Sequence, residues 1–179
     1  MLMLAPCDGT AGDQDSLTFL GALIQMAQPR VVLEAGTYRG HFALLAGRLV
    51  QRWGGYVFTA DPIEHNWIHL IAANALQDTV EFVQDDFAKV GERLTAPADF
   101  AFIDSGPPFL GGPGPTDPGW DHGVRFRHYE LAKQWVRPGG LVLVDDVNAT
   151  DWQGSLRIRE EATLLFPGGR GLSLWRKPP

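Results

Sequence analysis

The stretch Val31-Val32-Leu33-Glu34-Ala35-Gly36-Thr37-Tyr38-Arg39-Gly40 constrains the fold of this chain more than any other. Three apolar residues in a row, closed by an acid, predict a short strand buried on both faces, the kind found in parallel sheets. Gly36 and Gly40 then make a turn, and the run from His41 to Leu49 predicts a helix directly after it. Strand, glycine turn and helix form the ligand-binding corner of a doubly wound α/β domain. Glycine allows positive φ there and lets a ligand approach backbone that a Cβ would cover. A dinucleotide corner carries G-x-G-x-x-G, with amides gathered round a pyrophosphate. This turn lacks the third glycine, and Glu34 would repel a pyrophosphate. A carboxylate in that place suits a ligand with a positive ammonium or sulfonium group.

The rest of the chain is organised as a single domain over residues 1–179, long enough for one core, with no linker, repeat or second domain. Residues 1–14 are expected to be irregular. Asp15 or Ser16 then caps a helix to Ala27, whose apolar positions 17, 20, 23, 24 and 27 follow the helical period. No apolar run approaches the ~20 residues of a membrane span, and Met1 to Ala5 is too short and uncharged for a secretory signal. A cytoplasmic protein without a membrane partner is the expectation. The single Cys7 excludes an intramolecular disulfide framework and cysteine-based zinc. A formal charge of −6 argues against nucleic acid as a partner.

Further strands follow at 56–61, 80–84, 99–104 and 140–146, separated by helices at about 64–76, 88–94 and 129–136. Strands and helices in alternation predict a parallel sheet with right-handed crossovers. Its strands end in acids on one edge: Glu34, Asp61, the Asp85-Asp86-Phe87 junction, Asp104, and Asp145-Asp146. Asp61 can accept two hydrogen bonds from ribose hydroxyls, or it only opens the Asp61-Pro62 turn. Ile63 is placed to pack on an adenine face. Asp86 binds a ligand, caps the helix after it, or both.

These motifs together resemble the class I S-adenosylmethionine (SAM) dependent methyltransferases over roughly residues 30–147. Glu34-x-Gly36-x-x-x-Gly40 is similar to the first motif of that family. Asp61-Pro62, Gln84-Asp85-Asp86-Phe87, Phe102-Ile103-Asp104 and Pro138-Gly139-Gly140 with Asp145-Asp146 continue it. The second half looks like the small O-methyltransferases of the catechol and macrolide-sugar types. The resemblance implies a Rossmann-like, doubly wound, mainly parallel sheet with a C-terminal antiparallel hairpin, turning at 167–171 and ending in a strand at 172–175. It implies that SAM is held by Glu34, Gly36, Thr37, Tyr38, Gly40, Asp61, Pro62, Ile63, Asp85, Asp86, Phe87 and Asp104. The adenine amine would go to Asp86 in preference to Asp85.

Methyl transfer needs the acceptor held in line with the methyl group and relieved of its proton. Asp104 and Asp145 are the candidate reacting carboxylates. The carboxyl ends of neighbouring strands lie ~5 Å apart, and three acids at that spacing repel one another unless a cation sits among them. Magnesium on Asp104, Asp145 and Asp146 would serve. Alternatively, Asp104 touches the methionine amino group and Asp145 or Asp146 caps a turn. The Gly/Pro-rich loop 105–123, with Phe109, Leu110 and Trp120, reads as a lid over a small-molecule substrate, a surface insertion or a subunit contact in a homo-oligomer. His122 at the end of this loop, and His128 and Tyr129 after it, could each act as a general base, and His128 is the candidate carried forward; His41, His65 and His69 are expected on helix surfaces. Against an O-methyltransferase stand an NAD-type oxidoreductase, a methyltransferase-fold binding protein without catalysis, and a hydroxylase on the same scaffold.

Overall fold

The computed structural model describes residues 11–106, 123–148, 154–166 and 170–179. In chain order these form α1 (Ala11–Ala27), β1 (Val31–Ala35), α2 (His41–Val50), β2 (Tyr56–Ala60), α3 (His69–Ala73), β3 (Val80–Val83), β4 (Ala98–Ile103), α4 (Val124–Trp135), β5 (Val136–Asp145), α5 (Ser155–Glu161), β6 (Leu164–Phe166) and β7 (Leu172–Arg176). The strands make one sheet in the order β3-β2-β1-β4-β5-β7-β6. It is parallel from β3 to β5 and antiparallel through β7 and β6, the architecture that the sequence implies.

Side chains alternate across each strand, and the alternation sorts the interior into two cores. Val32, Phe100, Phe102 and Leu143 pack with Leu20 and Ile24 of α1 and with Phe42 and Leu44 of α2. Leu33, Ala101, Ile103, Val142 and Val144 face the other way, towards Tyr129 and Ala132 of α4 and Ile158 of α5. Helices on both faces explain why the strands read as continuous apolar runs. After β1 the chain builds β2 and β3 outward on one side, then returns to lay β4 on the other. This reversal opens a crevice at the carboxyl ends of β1 and β4, the place where open α/β sheets take ligands.

Several boundaries differ from expectation. α1 starts at Ala11, inside the stretch expected to be irregular, because extending a helix that is already nucleated costs little. The helix expected over 64–76 contracts to α3. The Glu64 carboxylate accepts the N–H groups of Trp67 and Ile68 at 2.7 and 3.2 Å, and Asn66 and Ala75 take positive φ at either side. The helix expected at 88–94 is a 3-10 helix, Phe87–Glu92. β5 begins at Val136, paired with Ala98, so Arg137-Pro138-Gly139-Gly140 lies within the strand at a register shift. The helix expected at 129–136 is the second half of α4. Of the lid loop, residues 107–122 lie outside the described residues, with Phe109, Leu110, Trp120 and His122. Among the described residues no helix is long and apolar enough to cross a membrane.

Candidate active site

At the crevice the glycine turn touches the end of β4. Gly36 has φ +89, and a Cβ there would lie 2.5 Å from the Asp104 carbonyl oxygen. Gly40 has φ +75, and a Cβ would meet the Trp67 ring at 2.1 Å. Both positions admit only glycine. Between them Tyr38 holds a left-handed φ of 46, fixed by the Asp61 carboxylate, which accepts its N–H at 3.0 Å. Left-handed backbone at a non-glycine residue is disfavoured and persists where neighbours hold it.

Glu34, at the end of β1, is 2% exposed. Its carboxylate accepts the hydroxyl of Thr59, which lies 2.5 Å from the Thr37 hydroxyl. Because Thr59 gives its one proton to Glu34, Thr37 is the donor in the second bond. Burial pushes the Glu34 acid well above the usual carboxylate range. The Thr59 bond opposes this and the charges of Asp104 and Asp61 add to it. A buried carboxyl among other acids is a place for a cationic ligand.

Asp61 uses one oxygen on Tyr38 and the other on the N–H of Ile63 at 2.9 Å, so it both opens the Asp61-Pro62 turn and pins the glycine turn. Each oxygen keeps a second lone pair. Asp86 accepts the N–H of Ala88 at 2.8 Å, which makes it the expected cap, and meets His128 Nε2 at 3.3 Å. Burial works against its charge, but the Ala88 N–H and the His128 ring hold it below the usual range. Asp85 is exposed and accepts the Asp86 N–H at 2.7 Å. The Phe87 ring is buried against His128 and Trp135, so its side chain belongs to the core and not to a ligand surface.

One cavity collects much of the expected site. Glu34, Gly36, Thr37, Tyr38, Asp104 and Asp145 line it, with Phe42 and Phe102 as apolar wall. Ser16, Leu17 and Leu20 of α1, Arg39 and His41 also line it, and none of these was expected at the site: Ser16 was a candidate helix cap, Leu17 and Leu20 part of an apolar helix face, and His41 was expected on a helix surface. Gly40, Asp61, Pro62, Ile63, Asp85 and Asp86 are outside the lining.

Two expectations are corrected at the β4 and β5 ends. His128 does not face the cavity. Its ring is buried, with Nδ1 2.9 Å from Ser105 Oγ and Nε2 on Asp86, so it ties the end of β3 to the end of β4. Tyr129 is likewise buried, with its hydroxyl on Glu161 at 3.0 Å. The three-aspartate metal cluster does not form either: among the described residues no group of three His, Cys, Asp or Glu converges on a metal. The guanidinium of Arg125 lies between the acids instead. Arg125 is 4% exposed; Nη2 reaches Asp104 at 3.3 Å and Nη1 reaches Asp146 at 3.2 Å. Arg170 takes the other Asp146 oxygen at 2.9 Å. The residues present therefore do not fit a magnesium ion. Asp145 keeps its carboxylate out of these bonds, and burial with the charge of Asp146 pushes its pKa up to about 6.

Sequence reasoning missed Arg125 for want of the start of α4. The buried residues of that helix are Val124, Arg125, His128, Tyr129 and Ala132, an inward stripe at helical spacing. A helix begun at Tyr129 leaves Arg125 in the unassigned stretch between the loop and the helix.

A family model described as a methyltransferase domain matches residues 33–147. No curated protein matches the sequence. Solved structures do. The O-methyltransferase TomG of Streptomyces achromogenes, involved in tomaymycin synthesis and solved with SAM, is 21% identical with a TM-score of 0.67, covering 98% of this chain and 82% of that one. An O-methyltransferase of Bacillus cereus in complex with S-adenosylhomocysteine (SAH) is 24% identical with a TM-score of 0.69, covering 94% and 82%. An SAH-bound methyltransferase of Podospora anserina is 15% identical with a TM-score of 0.69, covering 92% and 78%. At these identities the likeness is one of fold.

Proposed function

The chain belongs to the methyltransferase domain family, and from that premise we propose that it transfers a methyl group from SAM to an oxygen of a small hydroxylated molecule. The observation that carries this reading is the shared cavity, where Glu34, Gly36, Thr37 and Tyr38 of the glycine turn meet Asp104 and Asp145. SAM fits the residues present. Its ammonium suits Glu34, a buried carboxyl that takes its hydrogen bond from Thr59 and whose pKa is raised by burial and by the charges of Asp104 and Asp61. Asp61 would take the ribose hydroxyls with the lone pairs that the backbone leaves over, and Asp86 would take the adenine amine. Bound SAM supplies a methyl group on a sulfonium, whose loss leaves a neutral thioether.

The remaining work falls to the chain itself. Leu17, Leu20, Phe42 and Phe102 wall the cavity with apolar surface and exclude water from the reacting groups. Asp145 accepts the acceptor's proton as the new carbon–oxygen bond forms. With a pKa of about 6 it is ionised near neutrality and more basic than an ordinary aspartate. Asp104 orients the acceptor hydroxyl from the neighbouring strand. No divalent ion takes part in this scheme.

Isothermal titration with SAM, SAH and NAD tests the reading. Saturable binding of both adenosyl ligands, lost in Asp61→Ala, is the expected result. Binding of NAD alone, or of none of the three, overturns it.

A further inference from the structure

Acids at the ends of neighbouring strands require a cation between them, and in this chain a side chain provides it. Arg125 is the second residue of α4 and almost fully buried. All three of its nitrogens are engaged. Nε donates to the Ser105 carbonyl at 2.8 Å, Nη1 to the Asp145 carbonyl and the Asp146 carboxylate, and Nη2 to the Asp104 carboxylate. The partners come in pairs: Asp104 and Ser105 follow β4, while Asp145 ends β5 and Asp146 follows it. One planar, permanently charged group thus fixes both strand ends at once, which a flexible lysine could not do with the same directionality.

We propose that Arg125 is the resident cation of the reacting edge, positioning the ends of β4 and β5 and balancing their carboxylates, so that methyl transfer proceeds with no divalent ion bound. The inference rests on the methyl-transfer reading of this site. A metal entering the cluster would compete with the guanidinium for the Asp104 and Asp146 oxygens while repelling it at close range. Asp146 is the further committed, with Arg170 on its second oxygen and a left-handed φ of 59 that these contacts hold in place. Among the described residues Asp145 is the one acid of the three with no arginine hydrogen bond to its carboxylate, and like Asp104 it lines the cavity. Arg125 is therefore a positioning residue: it sets where Asp104 and Asp145 stand without touching the acceptor.

The test titrates the SAH-loaded wild-type protein, Arg125→Lys and Arg125→Met with MgCl2 and MnCl2, following heat and the electron paramagnetic resonance of free Mn2+. Wild type is expected to take up neither ion saturably, and Arg125→Lys to behave like it. Arg125→Met uncovers the carboxylates and is expected to bind Mn2+ about tenfold tighter or more, the factor that removal of one nearby charge gives. A role confined to stability would not create a metal site. Saturable uptake of either ion by wild type overturns the proposal, as does an Arg125→Met protein that folds and gains no Mn2+ affinity. If Arg125→Met does not fold, the wild-type titration decides alone. Failure of SAH to bind, with or without metal, refutes the methyl-transfer reading itself and is seen before any ion is added.

Discussion

Replacing Glu34 by glutamine should move stability and ligand affinity in opposite directions. The glutamine amide oxygen can still accept the Thr59 hydroxyl, so shape and hydrogen bond are retained while the charge is lost. Burial holds the Glu34 pKa above its unfolded value, so between the two values the folded state binds more protons than the unfolded state. Its contribution to stability is therefore fully present below the unfolded pKa and is lost as pH rises through the folded one. Glu34→Gln has no such proton to lose, and at pH 8 it should be more stable than wild type by on the order of 1–3 kcal/mol, the cost of a poorly compensated buried polar group. At pH 4 the two should agree. Binding of SAH should weaken, since a charge-assisted hydrogen bond to the ammonium is worth roughly 1.5–3 kcal/mol, or about 10- to 150-fold in affinity. Urea unfolding at the two pH values and calorimetric titration with SAH measure both quantities. A variant that binds SAH as tightly as wild type, or that is less stable at pH 8, refutes the assignment of Glu34 as the anionic pocket for the ligand's ammonium.

Gly36→Ala combines a left-handed φ of +89 with a Cβ 2.5 Å from the Asp104 carbonyl oxygen; it should cost about 2 kcal/mol or more by urea unfolding and abolish SAH binding, and wild-type affinity would refute the close approach. For Asp145, the rate of methyl transfer should rise with pH through about 6 and level off above it. Asp145→Asn should lower the rate and remove that inflection, whereas a surviving inflection would place the base elsewhere.

What was legible in the sequence follows from what parallel sheets enforce. Strands that read Val-Val-Leu or Leu-Val-Leu-Val must be covered on both faces, and their carboxyl ends must share an edge. That rule was enough to bring Glu34, Gly36, Thr37, Tyr38, Asp104 and Asp145 to one cavity. Local side-chain capping was less legible. Glu64 reads as the start of a helix, yet its carboxylate caps a turn that delays the helix to His69. Arg137-Pro138-Gly139-Gly140 reads as a turn, yet β5 absorbs it as an irregularity because Val136 still pairs with Ala98. His128 follows a loop, as an exposed base would, but the inward face of α4 carries it into the interior.

The charge imbalance at the strand ends was legible, but how it is resolved was not, because the two depend on different kinds of information. Backbone topology fixes where acids accumulate, and alternating strands and helices reveal that topology. A compensating charge on a long side chain can arrive from any element within reach, and Arg125 arrives from a helix whose first turn could not be read. The same cavity holds a second buried acid, Glu34, whose pKa is raised by burial and by the charges of Asp104 and Asp61. Arg125 answers the strand-end imbalance from within the chain. Glu34 has an uncharged threonine hydroxyl in that place, and burial holds its acid well above the usual carboxylate range. This contrast makes the site more than an acidic edge: Asp104 and Asp146 have their arginine partners within the chain, whereas under the proposed reading Glu34 would take its countercharge from the ligand.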